Sequence, residues 1–166
     1  MHPNDYEIIL NPDFIHRKKI EEAIKENDGY CCCALYKTDD TKCICKDFRE
    51  QDHSGFCHCG RYYKIRKCKI VTLCGSTRFK DEFIEIQKKL TLEGNIVISV
   101  GLFGHSGDEE VWTNNNKQML DEIHKSKIAM ADEIFVINKN GYIGESTKSE
   151  IEWAEELGKK ITYLES

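Results

Sequence analysis

The spacing of apolar residues changes near residue 67. Across residues 11–27, Phe14, Ile15, Ile20, Ala23 and Ile24 recur at helical intervals with Lys and Glu between them, which predicts one amphipathic helix ending near Asp28-Gly29. Residues 29–67 show little periodicity but much Cys, Lys and Asp. Short helices and turns wrapped around a metal have that pattern, with the metal supplying the core. Beyond residue 67, apolar runs and amphipathic stretches alternate. Strands are predicted at residues 69–73, 95–100, 133–137 and 161–164, and helices at 79–92, 119–131 and 147–158. Such alternation implies a parallel sheet with right-handed crossovers and ligands beyond the carboxyl ends of its strands. The expected class is α/β, a small helical module built around a metal at 1–67 fused to a flavodoxin-like parallel-sheet domain at 68–166.

Composition sharpens this division. Of the 24 basic and 29 acidic residues, 12 of each precede the boundary, so the formal charge of −5 arises wholly after it. That balance lacks the broad positive field that phosphate backbones attract, and nucleic acid is not expected as a partner. The opening residues lack the basic start and apolar run of a signal peptide. No later run approaches the length of a membrane span, so a cytoplasmic protein without a membrane partner is expected.

Seven of the nine cysteines fall in Cys31-Cys32-Cys33, Cys43-Ile44-Cys45 and Cys57-His58-Cys59. An odd total packed this densely fits metal ligation in a reducing compartment better than structural disulfides. Zinc sites commonly space paired cysteines two to four residues apart, so three one-residue spacings favour an iron-sulfur cluster.

With Tyr30 before the first group, Phe48 after the second and Gly60 after the third, this stretch resembles the catalytic subunit of ferredoxin-thioredoxin reductase over roughly residues 11–64. Cys32 and Ile44 stand where that family has prolines. The resemblance implies a 4Fe-4S cluster ligated by Cys31, Cys43, Cys45 and Cys57, beside a redox-active pair, Cys33 and Cys59. It also implies a ferredoxin-like electron donor and a thiol-disulfide protein as partners. His58 has two readings, proton transfer at the thiol or a structural hydrogen bond. A purely structural cluster with idle Cys33 and Cys59 is the alternative for the whole block. Cys32 reads as a buried small residue, and Cys68 and Cys74 as ordinary strand residues.

In the second part, Gly75-Ser76-Thr77-Arg78 turns from a strand into a helix, where backbone N–H groups can hold an anion. Asp132 precedes the third strand, and Gly144-Glu145-Ser146-Thr147 leads to Glu150 after it. His105, in a glycine-rich loop, is a candidate phosphate contact. Together these segments resemble the nucleoside 2-deoxyribosyltransferase family and its nucleotide N-glycosidase relatives over roughly residues 69–165. The resemblance implies Glu150 as nucleophile toward an anomeric carbon. Gly75, Ser76, Thr77, Arg78, Asp132, Gly144 and Ser146 would shape a nucleoside or nucleotide pocket that is often completed in a homo-oligomer. Thr72 replaces an orienting tyrosine, and Asn138 and Asn140 replace acidic contacts. Thr147 to Glu150 also reads as a helix capping box.

The leading expectation is therefore an iron-sulfur thiol-disulfide oxidoreductase fused to a nucleotide-binding domain. The alternatives are a deoxyribosyltransferase or N-glycosidase with a structural or redox-sensing cluster, and a nonenzymatic redox-sensing nucleotide binder.

Overall fold

The computed structural model describes residues 5–113 and 116–165, in two compact units, Met1–Lys67 and Cys68–Ser166. In the first unit, helix α1 (Phe14–Glu26) begins where the Asp13 carboxylate accepts from the His16 N–H at 3.0 Å. It ends where Asp28 and Gly29 take positive φ and the Gly29 N–H returns to the Ile24 carbonyl. A short helix, α2 (Lys46–Glu50), follows the second cysteine pair.

The first unit is not the small helical module that the sequence suggests. Strands β1 (Tyr6–Leu10), β2 (Gly55–Phe56) and β3 (Tyr62–Arg66) form an antiparallel sheet in the order β1-β3-β2. Periodicity hides it because β1 leaves most of its side chains exposed, so no strict alternation is required of Glu7-Ile8-Ile9-Leu10. Lys64 of β3 is buried, and its ammonium donates to the carbonyls of Arg49 and Gln51 at the end of α2. Phe48 and Tyr62 stack with their ring centres 6.5 Å apart and form the floor of a core otherwise made largely of cysteines.

The second unit has the predicted alternation. Strands β4 (Ile70–Gly75), β5 (Ile96–Ile98), β6 (Glu133–Ile137) and β7 (Lys160–Tyr163) form a parallel sheet in the order β5-β4-β6-β7. Helices α3 (Lys80–Leu92), α4 (Asn116–Met130) and α5 (Glu145–Glu156) make the crossovers. Leu73, Phe83, Ile86 and Ile137 form one buried layer, and Cys74, Ile128, Ile134, Val136 and Ala154 the other. Strands covered on both faces explain the continuous apolar runs of β4 and β6. The strand order reverses around β4, the place where doubly wound sheets bind ligands. Gly75 ends β4 at φ 149°, and a Cβ there would meet the Ile137 carbonyl oxygen at 2.9 Å, so only glycine fits this approach of β4 to β6.

Among the described residues, no helix is long and apolar enough to cross a membrane.

Candidate functional site

The thiol group of the first unit is assembled by three backbone devices. The Cys31 N–H donates to the Thr41 carbonyl at 2.8 Å and the Cys43 N–H to the Gly29 carbonyl at 3.1 Å, which lays the first cysteine group along the second. Helix α2 starts directly after Cys45 and drops Phe48 into the core. The turn carrying Cys57 and Cys59 closes with the Gly60 N–H on the Cys57 carbonyl at 2.8 Å.

Two residues that the sequence reading passed over hold this turn. Asn11 donates to the Gly60 carbonyl at 2.7 Å, and His16 Nε2 lies 3.1 Å from the Cys59 carbonyl. Gly60 has φ 74°, a conformation that favours glycine, and a Cβ there would stand 2.6 Å from His16 Nε2, so another residue would strain the turn and displace that ring. Both partners lie near the start of α1, more than forty residues away, and local spacing carries no trace of them.

Cys31, Cys57 and Cys59 are buried, Cys32, Cys43 and Cys45 half-buried, and Cys33 exposed. All nine cysteines are free thiols, with Cys57 Sγ and Cys59 Sγ 3.6 Å apart. Burial pushes the thiols of Cys43, Cys45 and Cys59 up. Burial, then Cys32 and Cys31, push Cys33 up to about 11. Cys31 is thus an electrostatic neighbour of both Cys33 and Cys59.

N–H groups oppose this cost. The Tyr62 N–H donates to Cys57 Sγ at 3.2 Å, and Arg61 Nη1 to Cys43 Sγ at 3.4 Å. Backbone N–H groups of Phe48 and Arg61 stabilise the thiolates of Cys45 and Cys59. Arg61 also pairs with Glu21 at 3.5 Å, while its Nε is buried without a partner. His58 is exposed and belongs to no hydrogen bond within the thiol group.

The donor set, thiolates with N–H groups on sulfur, suits zinc or an iron-sulfur centre. Four thiolates on one zinc ion stand about 3.8 Å apart, given Zn–S bonds of about 2.3 Å. Among the described residues, the one group of three or more donor atoms within 4.8 Å of one another lies in the other unit. Four ligands on four separate irons stand farther apart. N–H donors to sulfur and an unpartnered guanidinium N–H suit the anionic sulfur of such a cluster.

The second unit has a cleft of about 440 Å³, enclosed by the segments that follow β4, β5 and β6 and by α4. Gly75, Ser76, Thr77, Arg78, Gly144, Ser146 and Glu150 line it, as does His105. Thr77 Oγ1 lies 2.9 Å from His105 Nδ1, tying the turn after β4 to the loop after β5. The Arg78 guanidinium lies 4.2 Å from the centre of the Tyr142 ring. Trp112 and Lys127 complete the wall, Lys127 donating to the Ser99 and Val100 carbonyls.

Asp132 is not part of the cleft. Its carboxylate accepts from the Ile70 N–H at 2.8 Å, at the amino ends of β4 and β6, whereas the cleft lies beyond their carboxyl ends. Asn138 likewise clamps the Glu165 backbone by two hydrogen bonds of 2.9 Å.

Glu150 is not a helix cap. Helix α5 is already capped at Gly144, so Thr147 lies inside it and Glu150 falls in the second turn. There its carboxyl meets the Cys74 thiol and the Gly75 N–H. Its Oε1 lies 3.7 Å from His124 Nε2, which in turn is 3.6 Å from Cys74 Sγ. Burial pushes Glu150 up to about 8, against the hydrogen bonds from Cys74 and Gly75. Burial also pushes His124 down to about 4, so the two are neutral neighbours at pH 7 and not an ion pair.

No family model matches this chain, and no curated protein matches it significantly.

Cys74 and His124 are candidate site residues that the sequence reading did not single out. Cys74 is a buried residue of β4, as expected, and its thiol in addition faces His124 and Glu150. His124 shares the stripe of Leu120 and Ile128 on α4, and a histidine on the inward face of a helix was the available signal.

Proposed function

We propose that the first unit holds a 4Fe-4S cluster and acts as a thiol-disulfide oxidoreductase. Cys31, Cys43, Cys45 and Cys57 are the ligands and Cys33 and Cys59 the redox pair. The observation that carries this reading is the cysteine-rich core in which Arg61 and the Tyr62 N–H donate to the sulfurs of Cys43 and Cys57, while the backbone at Phe48 and Arg61 favours the thiolates of Cys45 and Cys59. Hydrogen bonds to sulfur stabilise the thiolate that iron requires and tune the potential of the centre.

When bound, the cluster supplies single electrons, received from a ferredoxin-like donor. Cys33, the exposed thiol, is the one a disulfide of a partner protein reaches. As a thiolate it forms a bond to one substrate sulfur and releases the other as a thiolate. Cys59 then attacks Cys33, freeing the second substrate thiol and leaving a Cys33–Cys59 disulfide, so two electrons pass from the pair to the substrate. Cys31, neighbour to both, lies where the spent pair meets the ligand set. The chain, reduced anaerobically, is expected to reduce a disulfide protein of the thioredoxin type stoichiometrically and to lose two thiols as it does so. A colourless chain with stoichiometric zinc and no iron would sink the proposal.

A second reading concerns the cleft, which suits a nucleoside or nucleotide. The observation favouring it is Glu150, whose Oε2 is buried without a partner in the cleft wall. As a carboxylate it suits an oxocarbenium-like carbon and a glycosyl ester, the chemistry of retaining glycosyl transfer. Incubation with a panel of nucleosides and nucleotides tests this. Base release by the wild type and none by Glu150→Ala is expected; binding without release leaves a nucleotide sensor.

A further inference from the structure

We propose that Cys74, His124 and Glu150 form a binding site for one zinc-type divalent ion, with its open position facing the cleft. Cys74 comes from β4, His124 from α4 and Glu150 from α5, so three separate elements aim one donor each at a common point. The sulfur lies 3.6 Å from His124 Nε2, which lies 3.7 Å from Glu150 Oε1, and all three donors fall within 4.8 Å of one another. Zinc bonds of about 2.3 Å to sulfur and about 2.0–2.2 Å to nitrogen or oxygen place tetrahedral ligands about 3.3–3.8 Å apart. The two measured separations fall in or at that range; the 3.7 Å between His124 and Glu150 is too long for a good hydrogen bond, whereas 3.6 Å to the Cys74 sulfur is within hydrogen-bond reach.

A second observation points the same way. Glu150 Oε2 and His124 Nδ1, the atoms on the other side of each group, are buried without hydrogen-bond partners, so the protein alone does not satisfy the polar groups it buries here, and the carboxylate can turn either oxygen to an ion. A divalent ion balances a thiolate and a carboxylate to zero net charge, which removes the penalty of burying either alone. Three protein ligands leave a fourth position for water or a ligand oxygen, the arrangement of catalytic and not structural zinc. His124 and Glu150 both line the cleft, so that position opens into it. The ligand class is an oxygen donor, such as the phosphate or sugar hydroxyl of a nucleotide. An ion here takes Glu150 as a ligand, so glycosyl-ester chemistry belongs only to the metal-free site.

The test uses the full chain, anaerobic and cluster-loaded, stripped with a chelator and titrated with zinc. Elemental analysis reads zinc, iron and sulfide in the same samples, so failure of this site and failure of the cluster are separately visible. The wild type is expected to retain about one zinc per chain beyond its iron, with affinity about 100-fold weaker in Cys74→Ser and Glu150→Gln. Its thermal midpoint, followed by tryptophan emission, should rise with zinc while those of the variants stay fixed. The same emission reports folding, and if Cys74→Ser does not fold, the nearly isosteric Glu150→Gln decides. Equal zinc retention by wild type and folded variants marks zinc on the other thiols and overturns the proposal, as does no retention by the wild type.

Discussion

Replacing Glu150 by Gln in the metal-free chain should abolish an alkaline loss of stability in the second unit. In the fold, burial raises Glu150 from 4.5 to about 8, and Asp121 adds to this while Lys117 opposes it. The folded state therefore keeps a proton that the unfolded state gives up. The stability this contributes is complete below pH 4.5 and is lost as pH rises through about 8. His124 acts in the opposite sense: its value falls from 6.5 to about 4, so its contribution is present above pH 6.5 and lost as pH falls through about 4. Between pH 4.5 and 6.5 the two slopes cancel. From 6.5 to 8 only Glu150 changes, because Cys74, raised well above 9 by burial, stays protonated. At about 1.4 kcal/mol per pH unit, the loss over that window is on the order of 2 kcal/mol. Both tryptophans of the chain, Trp112 and Trp153, lie in the second unit, so their emission follows its unfolding within the full protein. Denaturant titrations in chelator from pH 5.5 to 8.5 should show a plateau and then a fall in the wild type, and no fall in Glu150→Gln. Zinc should remove the fall by holding Glu150 ionised. A flat wild-type profile above pH 6.5, or an equal fall in the variant, would refute the reasoning.

Three further outcomes follow from the geometry. Cys33→Ser should keep its iron but lose disulfide reduction, whereas Cys57→Ser should lose iron; iron assay and single-turnover reduction separate them. Arg61→Gln removes the donor to Cys43 and should make the potential of the centre more negative in anaerobic redox titration, with iron content retained. Gly75→Ala forces a Cβ against the Ile137 carbonyl at 2.9 Å and should cost about 2 kcal/mol, read as a lower denaturant midpoint of tryptophan emission.

The elements of the second unit were legible because its strands are buried on both faces and its helices are amphipathic. Ile134, Val136 and Ile137 have no exposed surface, and an uninterrupted apolar run is the consequence. What period cannot convey is which end of the sheet a polar residue faces. Asp132 and Gly75 both adjoin strands, yet one lies at the amino ends and the other beside the cleft. Glu150 was visible as a candidate, but its partners Cys74 and His124 come from distant segments that only the crossovers bring together. In the first unit the cysteine spacing marked the site, whereas the sheet behind it was hidden by exposed strands. The anchoring of the Cys59 turn by Asn11 and His16 is equally nonlocal.

The first unit is proposed to hold a 4Fe-4S centre among its seven clustered thiols. Anaerobic purification followed by iron and acid-labile sulfide analysis, with the visible spectrum, tests it most directly. The account predicts equal iron and sulfide, about four of each per chain, and a broad visible absorption that bleaches on reduction. A colourless protein carrying zinc on these thiols, without sulfide, would contradict it.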